Sequence, residues 1–274
     1  MTSPLFQKLK RKIERNLLGR DPLYNDPYDD PGEQFYARIY LKYLFQVVDA
    51  EFRRPPVKIL DIGCHTGRLS IPLARAGHRV TAVDTSRFHI RRAQAHAHGE
   101  GVRVHFVKAD GFRFLRCLKP ESFDFVLCTE VLYQLPDFRE RMEELLTRVR
   151  PGGILATSHR TRFFYLSQAL VNRDFETVRR VLDSSEGEVG GSYFNWQMPE
   201  ELKALYRQLG LDLLLLRPVG ALTGNGHEAM ARLCNVSEIS DSQKEHLIGI
   251  EAADSDEFAC LGRYLLAIGR KREG

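Results

Sequence analysis

The chain has 274 residues, 43% of them hydrophobic, and a formal net charge of +4. This composition suits a globular protein with its own core, and no apolar run reaches the length of about 18 residues that predicts a membrane-spanning helix. Six basic residues and one acidic residue fall within positions 1–20. The rest of the chain is therefore close to neutral and offers no general basic surface for nucleic acid.

The first segment is predicted to be a short amphipathic helix over residues 4–18, because Phe6, Leu9, Ile13 and Leu17 recur at helical spacing. Its polar face is basic. Two interpretations stay open: the helix docks on phosphate or an anionic membrane, or its basic face is simply solvated. The segment lacks the apolar stretch of a signal peptide, so we expect a cytoplasmic protein.

Strands and helices alternate from residue 57 onward. A loop over 21–32 and a helix over 33–52 precede this region. The pattern predicts strands over 57–62, 79–83, 102–107, 123–128 and 154–158, and helices over 67–76, 86–98 and 137–149. Such a rhythm predicts an α/β fold, with a mainly parallel sheet covered by helices on both faces.

The second half of the chain is less regular. It is predicted to contain helical residues 161–183, a Gly/Ser-rich loop over 184–197, a helix over 199–209, and strands over 211–216 and 263–269. We therefore expect an N-terminal helical or lid segment over 1–56. A main domain over 57–274 would follow, with insertions at about 160–198 and 220–260.

The central signal is a glycine-containing loop that joins the first strand to a helix. In an open parallel sheet, ligands bind beyond the carboxyl ends of the strands. A dinucleotide fold requires GxGxxG, but this register places His65 and Arg68 where the second and third glycines belong. The loop is therefore a poor pyrophosphate site, and Gly63 and Gly67 fit a GxGxG spacing instead.

Residues 59–69 resemble the first motif of the class I S-adenosylmethionine-dependent methyltransferases, with His65 where that family commonly has glycine. Residues 80–84, 106–111, 123–133 and 149–155 resemble the later motifs, in order and with natural spacing. The resemblance covers about residues 57–158. It implies a Rossmann-like seven-stranded sheet with an antiparallel last strand, and S-adenosyl-L-methionine as the cofactor.

The same resemblance implies a set of cofactor-binding residues. Asp84 would accept hydrogen bonds from the ribose hydroxyls, and Asp110 from the adenine amino group. The full expected set is Asp61, Gly63, Cys64, His65, Thr66, Gly67, Asp84, Thr85, Ala109, Asp110, Gly111, Thr129 and Tyr36.

Three residues are candidates for catalysis. His159 directly follows the fifth strand, and a histidine titrates near neutrality, so it is the candidate general base. The alternative is that His159 and Arg160 form a polar loop pair or an anion contact. Tyr133 and Glu130 would orient substrate or cofactor, although Glu130 could equally serve the start of a helix.

No metal site is expected. The five cysteines are widely spaced without a CxxC pair, and the histidines show no paired spacing. A disulfide framework, a structural zinc site and a magnesium-dependent catechol mechanism are all disfavoured.

The acceptor must be recognised by the insertions, which are rich in aromatic residues: Tyr24, Tyr28, Tyr36, Phe163, Phe164, Tyr165, Tyr193, Phe194 and Trp196. As a set they predict a lid over a small or medium organic acceptor that is methylated on oxygen or nitrogen. Residues 193–202 weakly resemble the entry to a late helix in the small-molecule and quinone-type branch of the family.

Two alternative functions stay open: a tRNA-modifying methyltransferase that uses the basic first helix, and a non-catalytic protein that binds the cofactor. Nothing in the pattern predicts an oligomeric state.

Overall fold

The computed structural model describes residues 25–53, 55–253 and 258–273. The helix predicted over 4–18, and Tyr24 of the predicted lid, lie outside these residues. Among the helices that are described, none is both long and apolar enough to cross a membrane.

The strands and helices follow one another in the predicted alternation. The strands are β1 Lys58–Ile62, β2 Arg79–Asp84, β3 His105–Lys108, β4 Phe123–Cys128, β5 Val149–Arg160, β6 Glu186–Val189, β7 Ser192–Asn195, β8 Leu211–Val219 and β9 Tyr264–Lys271. The helices are α1 Pro31–Glu51, α2 Ser70–Arg75, α3 Arg87–Gly99, α4 Gly111–Arg116, α5 Phe138–Leu146, α6 Arg162–Val171, α7 Phe175–Asp183, α8 Pro199–Gln208 and α9 Asp241–Ala252.

Seven strands form one sheet in the order β3-β2-β1-β4-β5-β9-β8. Strands β1 to β5 pair in parallel, and β9 runs antiparallel to both of its neighbours, β5 and β8. The predicted mainly parallel sheet with an antiparallel last strand is confirmed. The strand order reverses between β1 and β4, and the carboxyl ends of these two strands frame the crevice where such sheets bind ligands.

Helix α1 packs directly on this sheet. Asp30 caps it by accepting a hydrogen bond from the N–H of Glu33 at 2.7 Å, and Pro31 stands at its first position. Its buried side chains, including Phe35 and Tyr40, share one hydrophobic core with strands β1 and β4. The helix therefore holds one wall of the crevice in place.

The structure corrects several predicted elements. The loop over 184–197 contains a hairpin, in which β6 pairs with β7 across Gly190 and Gly191. The helix over 161–183 is two helices, α6 and α7, separated near Arg173, whose φ of +56° ends the helical geometry. Helices α4 and α9 were absent from the predicted elements. The four-residue strands and the six-residue α4 carry too short a periodic signal to stand out in a sequence. Helix α9 is longer, but its buried side chains are only Ile248 and Glu251, so it shows no apolar stripe.

Candidate active site

A cavity of about 350 Å³ opens at the carboxyl ends of β1, β4 and β5. It is lined by Pro27, Glu33, Asp61, Gly63, Cys64, His65, Arg68, Leu69, Thr129, Glu130, Tyr133, Gln134, Arg160, Arg263 and Tyr264. Five residues of the expected cofactor set and two of the three catalytic candidates are among them. The cavity thus joins the glycine loop on one side to arginine and tyrosine side chains on the other.

The glycine loop is tightly packed where the ligand is expected. Gly63 has a φ of +83°, and a Cβ atom added there would lie 2.3 Å from Cγ2 of Val131. The N–H groups of Gly63 and Cys64 both donate to the carbonyl of Val83, at 2.8 and 3.1 Å. The turn therefore requires glycine, and it ties the end of β1 to the end of β2.

His65 is the loop residue that departs from the family pattern. Its φ of +50° lies in the left-handed region that glycine adopts most easily. Its imidazole lies 3.7 Å from that of His89, measured between ring centroids. Burial and the neighbouring His89 lower the pKa of His65 to about 4, so its ring is neutral at pH 7.

Asp84 ends β2 and faces the loop. Its Oδ2 accepts the N–H of His65 at 3.0 Å, and its Oδ1 accepts the N–H of Ser86 at 2.8 Å and lies 3.2 Å from Nδ1 of His89. Burial acts to raise the pKa of Asp84, but the hydrogen bonds from His89 and Ser86 outweigh it and the pKa is lowered. Asp84 therefore stays ionised, with acceptor capacity left on Oδ2.

The residues expected around the adenine lie beside Asp84. The N–H of Ala109 donates to the carbonyl of Asp84 at 3.0 Å. Asp110 is exposed and caps α4 by accepting the N–H of Arg113 at 2.9 Å. A Cβ atom at Gly111 would lie 2.6 Å from Ile62, so this backbone also packs closely against β1. Thr85 is exposed next to Asp84.

Two residues of the expected cofactor set are held away from the cavity. Thr66 is fully buried, and its hydroxyl donates to Oδ1 of Asp26 at 2.6 Å. Tyr36 is fully buried behind Arg263, whose guanidinium lies 4.6 Å from its ring centroid. Neither of these two side chains lines the cavity, because each is covered by the protein itself.

Asp61 lies at the floor of the cavity. It is 2% exposed, and its carboxylate accepts a hydrogen bond from the hydroxyl of Ser70. Burial raises the pKa of Asp61 to about 6, and the nearby negative charge of Asp84 adds to this effect. Asp61 is therefore largely ionised at neutral pH and gains a proton readily below it.

Glu130 belongs to a network of charged side chains on the other side of the cavity. It accepts from Arg68 at 2.6 Å and from the hydroxyl of Tyr264 at 3.1 Å. Glu33 accepts from Arg68 at 2.6 Å and from Arg263 at 3.0 Å. Burial acts to raise the pKa of Glu130. Nearby positive charges, that of Arg68 first, outweigh burial, so the pKa is lowered. Glu130 is consequently a fixed anion, poorly suited to accept a proton.

The structure does not bring His159 to the cavity. Alternate residues of β5 face opposite sides of the sheet, and His159 lies on the side of Phe138, away from Arg160. It is fully buried, with Nε2 at 2.8 Å from the hydroxyl of Thr157. Burial lowers its pKa to about 3. The expected general base is thus corrected to a neutral, buried side chain on the opposite face of the strand.

Sequence reasoning assigned no site role to Glu33, Arg68, Arg263 and Tyr264 of the cavity wall, and it considered Arg160 only as part of a polar loop pair or an anion contact. The alternation along β5 would have placed Arg160 in the wall, since Ser158 and Arg160 share a face and Ser158 accepts the N–H of Glu130 at 2.8 Å. Glu33, Arg263 and Tyr264 enter from α1 and β9, far away in sequence. No local pattern connects them to the glycine loop.

Asp26, Asp29 and His96 form a cluster of metal-ligand type near the glycine loop, with ligand atoms within 4.8 Å of one another. Arg92 donates to both carboxylates. A cation of the protein itself therefore already offsets part of the negative charge of this cluster.

Comparisons with known proteins point to one family. A family model described as a methyltransferase domain matches residues 59–153. The ubiquinone biosynthesis O-methyltransferase of Xanthomonas euvesicatoria is 30% identical over 193 residues, which cover 70% of this chain and 77% of that protein. The chain belongs to the S-adenosylmethionine-dependent methyltransferases. The corresponding enzyme of Ralstonia nicotianae is 33% identical to this methyltransferase over 162 residues, covering 58% of this chain and 65% of that protein.

Solved structures show the same fold. The magnesium protoporphyrin IX methyltransferase of Synechocystis with bound SAH has a TM-score of 0.57 to this methyltransferase at 15% identity, covering 97% of this chain and 99% of that one. A methyltransferase of Methanosarcina mazei has a TM-score of 0.55 at 17% identity, covering 83% and 98%. The expected fold, enzyme class and cofactor are therefore confirmed.

The residues present fit this cofactor. Gly63 lines the cavity with its backbone alone, and Asp84 offers an ionised carboxylate next to the same loop. The adjoining backbone of Ala109 to Gly111 lies at the same edge of the sheet, next to β1.

Proposed function

We propose that this methyltransferase transfers the methyl group to a hydroxyl oxygen of a small aromatic acceptor. The observation that carries the proposal is the single cavity shared by the glycine loop and a wall of tyrosine and arginine side chains. The curated relatives are named as O-methyltransferases, which favours oxygen over nitrogen as the methylated atom.

The cofactor would occupy the glycine-loop side of the cavity, next to the end of β2. When bound, S-adenosylmethionine supplies an electrophilic methyl carbon. Asp84 would accept hydrogen bonds from its ribose hydroxyls, and the close-packed turn at Gly63 would let it approach the backbone. These residues bind and align, and alignment is a large part of catalysis when two reactants must meet.

The acceptor would occupy the opposite side, against tyrosine rings. Tyr133 and Tyr264 line the cavity and contact each other, with ring centroids 5.8 Å apart. Tyr133 also stacks on Phe194 of β7, at 6.0 Å between centroids. An aromatic wall of this kind favours a planar ring. A planar ring packed against this wall would present its hydroxyl to the cofactor side.

The insertion over 160–198 would act as a lid over this acceptor. Tyr165, Val181 and Trp196 form a small buried core of their own, with Phe164 and Phe194 packed against it. Phe194 links this core to Tyr133 in the cavity wall. The lid would exclude water from the reacting atoms.

The carboxylates of the acceptor side are already engaged. Arg68 holds both Glu33 and Glu130, and the pKa of Glu130 is lowered. We therefore expect an acceptor whose hydroxyl ionises readily, such as a phenol, rather than an aliphatic alcohol.

The direct test is cofactor consumption with a set of phenols and catechols, followed by mass spectrometry of the product. We expect S-adenosylhomocysteine formation together with a product heavier by one methylene unit. Matched anilines test nitrogen as the acceptor atom. Methylation of anilines but not of phenols would contradict the proposal.

A further inference from the structure

Arg160 is the last residue of β5, and it faces the cavity from the acceptor side. Only 8% of its surface is exposed. Phe164, Tyr264 and Tyr133 surround its guanidinium, with ring centroids at 3.9, 4.1 and 5.1 Å from the central carbon. Rings at these distances hold a planar guanidinium in a fixed orientation.

The hydrogen-bonding capacity of this guanidinium is largely unused. Its one hydrogen bond within the described residues runs from an Nη atom to the carbonyl of Arg263, at 3.5 Å. Its Nε is buried without a partner there. No carboxylate of the described chain lies within 4.0 Å of it. A buried donor or charge without a partner is costly, so a ligand that supplies one binds favourably.

The other two arginines of the cavity are matched. Arg68 pairs with Glu33 and Glu130, each at 2.6 Å. Arg263 pairs with Glu33 at 3.0 Å and with Glu228 at 2.9 Å. Arg160 is thus the cavity arginine that holds no carboxylate of the described chain.

We propose that Arg160 binds a carboxylate of the acceptor, so that the substrate is a hydroxylated aromatic acid. The inference rests on the proposed function. A carboxylate matches the planar fork of donors on a guanidinium, and the surrounding rings match an aromatic ring attached to that carboxylate. Strand β4 separates β5 from β1 and its glycine loop, which favours the acceptor over the cofactor as the occupant.

The test uses the full-length protein saturated with S-adenosylhomocysteine. The probes are the ortho, meta and para hydroxybenzoates, each compared with the hydroxybenzamide of the same pattern in isothermal titration calorimetry. We expect at least one acid to bind about tenfold or more tightly than its amide, the effect of one charge-assisted interaction. Arg160→Gln should bring the affinities for the acid and its amide together, whereas Arg160→Lys should retain part of the preference for the acid.

Arg162→Gln is the matched control, because Arg162 lies two residues away and pairs with Glu201 at 3.7 Å. This variant should keep the acid preference. The proposal is overturned if no acid binds better than its amide to the wild-type protein, a result that needs no variant to fold. It is also overturned if Arg160→Gln loses affinity for S-adenosylhomocysteine, since Arg160 would then serve the cofactor. A wild-type protein that methylates phenols without preferring acids would refute the carboxylate site while leaving the proposed function intact.

Discussion

Nδ1 of His89 lies 3.2 Å from Oδ1 of Asp84, on the carboxylate that is expected to bind the cofactor ribose. The other oxygen of this carboxylate accepts the N–H of His65, and the two histidine rings are in contact, tilted by 33°. We therefore expect two tasks of Asp84. It fixes the glycine loop from inside the protein, and it would offer its remaining acceptor capacity to the ligand.

Asp84→Ala should abolish binding of S-adenosylhomocysteine in calorimetry. Losing two hydrogen bonds to a charged acceptor costs about 3 kcal/mol or more, and the N–H of His65 also loses its partner. Asp212→Ala is the matched control, because Asp212 pairs with Arg272 on the far edge of the sheet. Unchanged affinity in Asp84→Ala would refute the ribose assignment.

His89→Ala tests the second task of Asp84. Since His89 occupies Oδ1, its removal frees that oxygen for a ribose hydroxyl, and we expect cofactor affinity to stay constant or to rise a few-fold. A loss of affinity comparable to that of Asp84→Ala would mean that His89 itself holds the ligand. The same titration of S-adenosylhomocysteine distinguishes the two outcomes.

His65→Gly should stabilise the loop or leave its stability unchanged. The left-handed φ of +50° costs a residue with a side chain about 1 kcal/mol or more, and glycine avoids this cost but loses the ring contact with His89. The opposing effects predict a change of less than about 1 kcal/mol in the free energy of unfolding. Urea titration measures it, and Gly63→Ala should by contrast be strongly destabilising because of the contact with Val131.

The sequence predicted the part of the site that local spacing determines. The alternation of strands and helices predicts that one strand ends next to Gly63, that the next ends at Asp84, and that a turn follows Lys108. All three positions lie at one edge of the sheet. The arginine and tyrosine side of the cavity could not be predicted in this way. Arg263 and Tyr264 reach it through antiparallel pairing of β9 with β5, and that register joins residues about a hundred positions apart.

His159 shows how one residue of register decides a role. Sequence reasoning placed it correctly at the end of β5, but the side of the sheet it faces depends on strand parity. The neighbouring Arg160 faces the cavity instead. The sequence left two interpretations of His159 and Arg160 open, a polar loop pair or an anion contact. We propose the anion contact for Arg160.

His159→Phe should leave turnover close to the wild-type rate, because the side chain lies on the opposite face from the cavity. The variant should also lose less of its free energy of unfolding than the wild type as the pH falls below neutrality. Burial lowers the folded-state pKa of His159 to about 3, whereas an unfolded histidine titrates near about 6.5. Between these values the unfolded state binds the extra proton, so stability falls as the pH falls through this window, by at most about 1.4 kcal/mol per pH unit for one proton.

Urea titrations at several pH values between about 5 and about 6.5 measure how the free energy of unfolding changes with pH. This pH range lies above the one in which most carboxylates titrate. His65, whose pKa is also lowered, contributes in the same direction in both proteins. A slope that is identical in His159→Phe and in the wild type would contradict the assignment of a buried neutral ring. A large loss of turnover in a folded variant would restore His159 as a catalytic residue.

Arg68→Met should destabilise the protein by about 3 kcal/mol, the low end of the effect of breaking a buried pair. Two carboxylates would lose a partner, and Glu33 and Glu130 are each only about one-fifth exposed. Thermal unfolding measures the loss. Arg116→Met is the control, because its pair with Glu144 is largely solvated and should contribute less than about 1 kcal/mol.

Trp196→Ala tests the lid. Trp196 is fully buried, its Nε1 donates to the carbonyl of Ser184 at 2.7 Å, and its ring lies 5.4 Å from that of Tyr165. Truncating such a side chain costs about 3 to 5 kcal/mol. This side chain packs mainly within the small core of the insertion, so we expect local opening of residues 160–198, detected by limited proteolysis, while affinity for S-adenosylhomocysteine is retained.

The KM of an acceptor identified by the consumption assay should rise in Trp196→Ala, since Phe194 would no longer support Tyr133. Phe175→Ala in the same insertion is the control, because that ring is 65% exposed and its loss should change neither property. An insertion that opens in Trp196→Ala without any change in acceptor KM would show that it does not act as a lid.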